Sequence, residues 1–173
     1  MSIPSVGILI EKLTQALKPY FSLDQSPEEQ PIIVGIETGG FWIAKAIHQS
    51  IAPDTDLGRL NISFYRDDFT KKGLHPTVNP SSLPPNIDGK TVILIDDVLH
   101  SGRTIRAAMN EIFDYGRPLR IILAILIDRG EREIPIQPDI VGDTIQLEPG
   151  NHIKLEGPDP LQLTIKSLAD HAD

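Results

Sequence analysis

The residues best equipped for chemistry lie together in Thr91–Thr104, TVILIDDVLHSGRT. Two adjacent carboxylates, Asp96 and Asp97, can accept hydrogen bonds from a sugar diol or hold Mg2+, a hard cation that prefers oxygen ligands. Shortly after them, Ser101, Gly102, Arg103 and Thr104 combine hydroxyls, a glycine and a guanidinium ahead of an amphipathic run. Backbone N–H groups there, with the positive end of the next helix, would converge on one anion such as a phosphate. A lone Ser-Gly is an ordinary turn, and an acid pair can simply cap a loop. The order is what is specific: four apolar strand residues, two acids, Val98 and Leu99, His100, then small hydroxyl, Gly, Arg, Thr.

A second candidate turn is Glu37-Thr38-Gly39-Gly40, whose backbone donors could also face an anion, although Gly-Gly alone is often a plain turn. Further on, Arg66–Lys90 is long and polar, with Lys71, Lys72, His75 and four prolines. A connection of that length reads as a lid or an insert. Closing a basic loop over a reacting anion would exclude water and bring cations to it, with Arg66 at its root the better placed. Lys71 and Lys72 equally suit a solvated face. Asp128-Arg129-Gly130 follows another apolar run, and its charged pair fits a crevice beyond a strand end or a surface ion pair.

The elements that must position these groups follow from periodicity. Val6, Leu9, Ile10, Leu13 and Leu17 mark one face of a helix ending near Pro19. Ile32–Ile36 and Val92–Ile95 are β-branched runs of the kind buried on both faces of a parallel sheet, and Ile121–Ile127 is a third. Phe41–Ile51 predicts a helix stopped by Pro53. Ile105, Ala108, Met109 and Ile112 predict another, capped near Gly116 with Pro118 beyond. Leu60–Tyr65 alternates like a half-buried edge strand. Glu131–Leu155, with three prolines, reads as an irregular subdomain with minor strands, and Leu161–Ala169 as a terminal strand or tail. The series predicts an α/β domain with a mainly parallel central sheet flanked by helices.

The length of 173 residues suits one domain spanning residues 1–173. A net charge of −8, from 16 basic and 24 acidic residues, argues against broad affinity for nucleic acid. With no cysteine there is neither a disulfide framework nor a thiolate metal site. No signal peptide or sufficiently long apolar span is visible, so a cytoplasmic location without membrane partners is expected.

Val92–Thr104 resembles the thirteen-residue phosphoribosyl pyrophosphate (PRPP) motif of the type I phosphoribosyltransferases. The stretches VGIETGGFWIAKAI, NISFYRDDFTKK, GRPLRIILAILIDRGEREIPI and PDIVGDTI narrow this to the pyrimidine operon attenuation regulators that are also uracil phosphoribosyltransferases. The resemblance covers most of residues 32–145. It implies the type I phosphoribosyltransferase fold, with a flexible lid at about 66–90 and a small hood built mainly from about 131–155. It implies the reaction uracil plus PRPP to UMP plus pyrophosphate with Mg2+, and a homo-oligomer, a dimer or larger. Asp96 and Asp97 would take the ribose hydroxyls and the metal. The loop Val98, Leu99, Ser101, Gly102, Arg103 and Thr104 would hold the 5′-phosphate. Thr38, Gly39, Gly40, Arg66 and Arg129 would serve the pyrophosphate side, with a strained non-proline peptide, trans or cis, near Thr38. The backbone near Ile153 would read the uracil edge.

Departures from the family pattern matter. His100 stands where purine-using relatives place an aspartate and this family usually a tyrosine; it favours a pyrimidine and makes His100 a candidate general base or a packing residue. Gly39 replaces the arginine usual in the pyrophosphate loop, removing a cation from the leaving group. Glu131-Arg132, Gln137 and Asp143 occupy places where the RNA-binding regulators are basic, so binding of an mRNA leader is expected to be weakened. Two other readings stay open: a UMP- or PRPP-sensing RNA-binding attenuator with little catalysis, and a phosphoribosyltransferase for another base.

Overall fold

The computed structural model describes residues 3–22, 24–62 and 80–167. Five parallel strands form the central sheet: β1 (Ile32–Ile36), β2 (Leu57–Leu60), β3 (Thr91–Leu99), β4 (Arg120–Asp128) and β5 (Ile140–Thr144). Their spatial order is β2-β1-β3-β4-β5. Among the described residues three α-helices accompany them, α1 (Val6–Leu17), α2 (Gly39–Ile51) and α3 (Arg103–Tyr115).

The β-branched runs form the central strands because both faces of the sheet are covered. Period-two alternation divides each strand between two cores. Ile33, Ile93, Ile95, Ile122 and Ala124 face α1 and α2, together with Leu9, Leu13, Ile43 and Ile47. Val34, Val92, Leu94, Leu123 and Ile125 face α3, with Ile105, Ala108 and Ile112. The expected α/β architecture, with helices on both faces of a parallel sheet, is thus the observed one.

Boundaries differ in instructive ways. The edge strand expected at Leu60–Tyr65 runs instead over Leu57–Leu60, where Gly58 and Arg59 hide the apolar signal; positions 63–65 lie outside the described residues. Helix α2 starts at Gly39, two residues before the expected Phe41. Strand β3 extends to Leu99, so both aspartates belong to the strand.

The expected hood and lid are also redistributed. Ile140–Thr144, assigned from sequence to the irregular subdomain, pairs in parallel with β4 and completes the main sheet. The separate small unit is an antiparallel hairpin of β6 (Asn151–Glu156) and β7 (Gln162–Ser167), so the chain's last expected strand pairs with Asn151–Glu156. At the other end, residues 80–90 pack on the domain. Ser82 exchanges backbone hydrogen bonds with Arg59 at 2.7 and 2.8 Å, and Ile87 is buried in the α3-side core. The earlier part of the expected lid, with Lys71, Lys72 and His75, lies outside the described residues.

Sheet topology fixes where a ligand can sit. From β1 the chain crosses outward to β2, whereas from β3 it crosses the opposite way to β4. The loops after β1 and β3 therefore diverge, leaving a crevice at the carboxyl ends of two adjacent strands.

Candidate active site

Both chemical stretches meet at that crevice. Thr38 and Gly39 leave β1 opposite Asp97 and Val98 at the end of β3, and they line one cavity of about 550 Å3. Its far wall is the β6 segment His152, Ile153, Lys154 and Leu155, and Trp42 of α2 closes one side.

Close backbone approach explains the two glycines. A Cβ on Gly40 would fall 2.6 Å from the Ile95 carbonyl oxygen and 2.8 Å from the Asp96 Cα. One on Gly39 would overlap the Asp97 carboxylate. At Gly40 the obstacle is backbone, so no side chain fits and α2 can begin directly against β3, whereas at Gly39 a side chain would have to displace the Asp97 carboxylate. The Glu37–Thr38 peptide is cis, one of the two forms the family resemblance allows for this turn. Glu37 is held by Arg59 of β2, whose Nε lies 3.2 Å from its carboxylate and whose guanidinium stands over the Phe41 ring.

The two aspartates have different surroundings. Asp96 is 2% exposed and accepts the Asp97 N–H at 3.0 Å. Asp97 is partly exposed toward the cavity and accepts the Val98 N–H at 3.0 Å through Oδ1. Together they offer an all-oxygen donor set at a crevice, which fits Mg2+, an ion usually held by one or two carboxylates plus substrate oxygens.

The loop after β3 turns directly into α3. Gly102 caps α3 in the left-handed region at φ +91°, where a side chain is strained, and Arg103 donates its N–H to Ser101 Oγ at 3.3 Å. Thr104 follows in the first turn of α3, whose leading N–H groups have no partner within the helix. Leu99, by contrast, contributes backbone only: its side chain is buried in the α3-side core and its carbonyl accepts the Arg129 N–H at 2.9 Å.

A second loop, after β4, is stitched onto this one. The Ser101 carbonyl accepts the N–H groups of Glu133 and Ile134 at 3.0 and 3.3 Å. Arg132 is the brace. Its guanidinium meets Asp128 at 2.7 Å and donates to the carbonyls of His100 at 3.0 Å and Ile136 at 2.9 Å. Sequence reasoning placed Arg132 only in a nucleic-acid context and missed this role; the alternation of charge in DRGERE was the available signal.

The candidate cations are distributed unevenly. Arg103 pairs with Glu133 at 2.6 Å. Arg129 does not line the cavity of Thr38 and Asp97: it donates to the Asn151 carbonyl at 3.4 Å and lies 3.6 Å from Glu131, tying the loop to the hairpin. His100 meets the same Glu131 carboxylate at 3.0 Å. Arg66 lies outside the described residues. The structure thus brings together Thr38, Gly39, Asp97, Val98 and Ile153, places the 98–104 loop beside them, and sets Arg129 apart.

The model of the phosphoribosyl transferase domain family matches residues 8–159. A relative called Bifunctional protein PyrR, from Pseudomonas fluorescens, is 48% identical over 169 residues, covering 98% of this chain and 99% of that protein. Its namesake from Pseudomonas aeruginosa is 49% identical, with 98% of each chain covered. This chain belongs to the PyrR family of phosphoribosyltransferases. The family expected from the PRPP motif is therefore the family found, and with it the enzyme class, a pentosyltransferase. Likeness of fold extends more widely. A hypoxanthine-guanine phosphoribosyltransferase from Bacillus anthracis superposes with a TM-score of 0.62 over 84% of this chain and 81% of its own, at 21% identity. A purine phosphoribosyltransferase from Pyrococcus horikoshii gives 0.59 over 82% and 83%, at 22%. This chain thus shares its fold with those two purine enzymes. Among the described residues, no helix is long and apolar enough to cross a membrane.

Proposed function

We propose that this PyrR-family protein transfers the phosphoribosyl group of PRPP to uracil, giving UMP and pyrophosphate. The observation that carries the reading is the opposition of Thr38–Gly39 and Asp97 across one cavity, with Asp96 buried directly behind Asp97 and the Ser101–Thr104 loop beside them. Such an arrangement holds a ribose between a 5′-phosphate and a pyrophosphate.

The bond from the anomeric carbon to pyrophosphate breaks, leaving positive charge on the sugar and negative charge on pyrophosphate, while uracil N1 forms the new bond and releases its proton to the departing pyrophosphate or to solvent. Nothing in the cavity forms a covalent bond in this scheme; rate enhancement comes from positioning and from preorganised charge. Asp96 and Asp97 accept hydrogen bonds from the ribose hydroxyls and orient the ring. The N–H groups opening α3, with the Ser101 and Thr104 hydroxyls and Arg103, bind the 5′-phosphate in exchange for the Glu133 contact. Thr38, Gly39 and Gly40 turn backbone donors toward pyrophosphate, and Arg66 joins them. Mg2+, held by Asp96 and Asp97, would offset charge on the leaving group. The Ile153 backbone, on the cavity wall, reads the uracil edge.

Uracil rather than a purine is supported by membership of the PyrR family, together with the base that the sequence resemblance implies, and by His100 in place of an aspartate. His100 spends its Nε2 on Glu131, which argues against a proton-transfer role. An RNA-attenuation function is weakened in this reading, because Glu131 and Asp143 stand where a phosphate-binding face would be basic. Binding of the native operon leader in the presence of UMP tests that point: tight binding would refute it. A cytoplasmic homo-oligomer completes the reading.

The enzymatic test is UMP formation from uracil, PRPP and Mg2+, with hypoxanthine, guanine, xanthine and orotate alongside. Turnover of uracil alone, lost in Asp96→Asn/Asp97→Asn, is expected. Turnover of a purine instead would overturn the base assignment. PRPP or UMP binding with no turnover of any base would favour the sensor.

A further inference from the structure

Gly39 leaves the pyrophosphate turn without a side chain, and the described cations around the crevice are already engaged. Arg59 pairs with Glu37, Arg103 with Glu133, Arg132 with Asp128, and Arg129 with Glu131 and the Asn151 carbonyl. Lys154 differs. It lies on β6 and lines the cavity shared by Thr38, Gly39 and Asp97, the one Lys or Arg among the described residues that does. Its side chain has no hydrogen-bond or salt-bridge partner among the described residues, and its charge acts on Glu156 only at a distance. The carboxylate nearest along its strand, Glu156, is bonded to Lys166 at 2.5 Å.

Placement of Lys154 is imposed by the hairpin. Ile153 and Leu155 on either side are buried in the core shared with α1 and α2, so the strand is pinned. Its register sets Lys154 opposite Thr164 on β7. The end of the hairpin rests on α2, since a Cβ on Gly157 would meet the Trp42 ring at 3.1 Å. A lysine fixed at the backbone but exposed at its head can reach into the cavity with its four-carbon stem.

We propose that Lys154 binds the pyrophosphate portion of PRPP, supplying from β6 the positive charge that the Gly39 turn lacks. This rests on the phosphoribosyltransferase reading of the cavity and adds to it a residue far from the pyrophosphate turn in sequence. A lysine ammonium is a compact charge suited to polyphosphate oxygens, and it acts on the departing anion, where negative charge accumulates.

Lys154→Met keeps the stem and removes the charge. Calorimetric titration with PRPP and with Mg2+-pyrophosphate should show dissociation constants raised about tenfold, equivalent to about 1.4 kcal/mol. UMP, which carries no pyrophosphate, should bind within about twofold of wild type by the same scale. Lys154→Arg should restore most of the lost affinity. Unchanged pyrophosphate affinity in Lys154→Met overturns the proposal, and so does equal loss of UMP and pyrophosphate binding, which would mean a disturbed hairpin. Wild-type protein that binds PRPP but turns over no uracil would defeat the uracil phosphoribosyltransferase reading while leaving this comparison intact.

Discussion

A Cβ atom on Gly39 would stand 2.7 Å from Cγ of Asp97 and 3.1 Å from its Cβ. The turn after β1 and the Asp97 side chain therefore share one space, and glycine at position 39 is what lets Asp97 keep its orientation. The sequence alone presents Gly39 as a lost arginine; the geometry presents it as room for a carboxylate. Gly39→Ala should push Asp97 aside and lower kcat/KM by about 100-fold, the scale of a displacement near 1 Å at a reacting centre. Steady-state kinetics beside a thermal melt would check this, since stability should change little.

Gly102 presents a different constraint. Its φ of +91° is unfavourable for any residue with a Cβ, and an added Cβ would lie 2.9 Å from Ile134 Cγ1. Gly102→Ala should cost about 1–2 kcal/mol in urea unfolding from the backbone alone. UMP affinity should fall with it, because the N–H groups at the start of α3 would lose their convergence.

The brace at Arg132 should matter for stability more than its exposed neighbours. Arg132 and Asp128 are 12% and 15% exposed, so removing one leaves the other poorly solvated. Arg132→Met should destabilise the fold by about 2–3 kcal/mol. In a double-mutant cycle with Asp128→Asn, the combined loss should be smaller than the sum of the single losses.

His100 gives the opposite expectation. Its ring is 44% exposed and engaged with Glu131. His100→Phe should retain turnover within about threefold, whereas loss of a true general base costs about 100-fold or more. A large fall in kcat with unchanged PRPP affinity would restore His100 to the mechanism.

Asp96 and Asp97 should separate in their effects. Asp96 is buried at the strand end and accepts the Asp97 N–H. Asp97 lines the cavity. Asp97→Asn should reduce kcat/KM by about 100-fold with a melting temperature near wild type, while Asp96→Asn should lower both. Equal melting temperatures for the two variants would argue against this division.

Much of this protein was readable from local pattern. The β-branched runs at Ile32–Ile36, Val92–Ile95 and Ile121–Ile127 determined parallel strands, because only sheets covered on both faces tolerate such continuous apolarity. The acids after Ile95 and the glycine before Arg103 determined a strand, a turn and a helix whose N–H groups converge, since these are properties of neighbouring residues. Tertiary structure decided the rest. Strand order set Thr38 and Gly39 against Asp97, across about sixty residues of chain. Ile140–Thr144 joined the main sheet because β4 offered an open edge, a choice invisible in its own proline-flanked sequence. Arg132 became a brace and Lys154 a cavity cation only once the loop after β4 and the β6–β7 hairpin had folded back over the crevice. Such roles depend on which distant segments share a space, and packing rather than periodicity sets that.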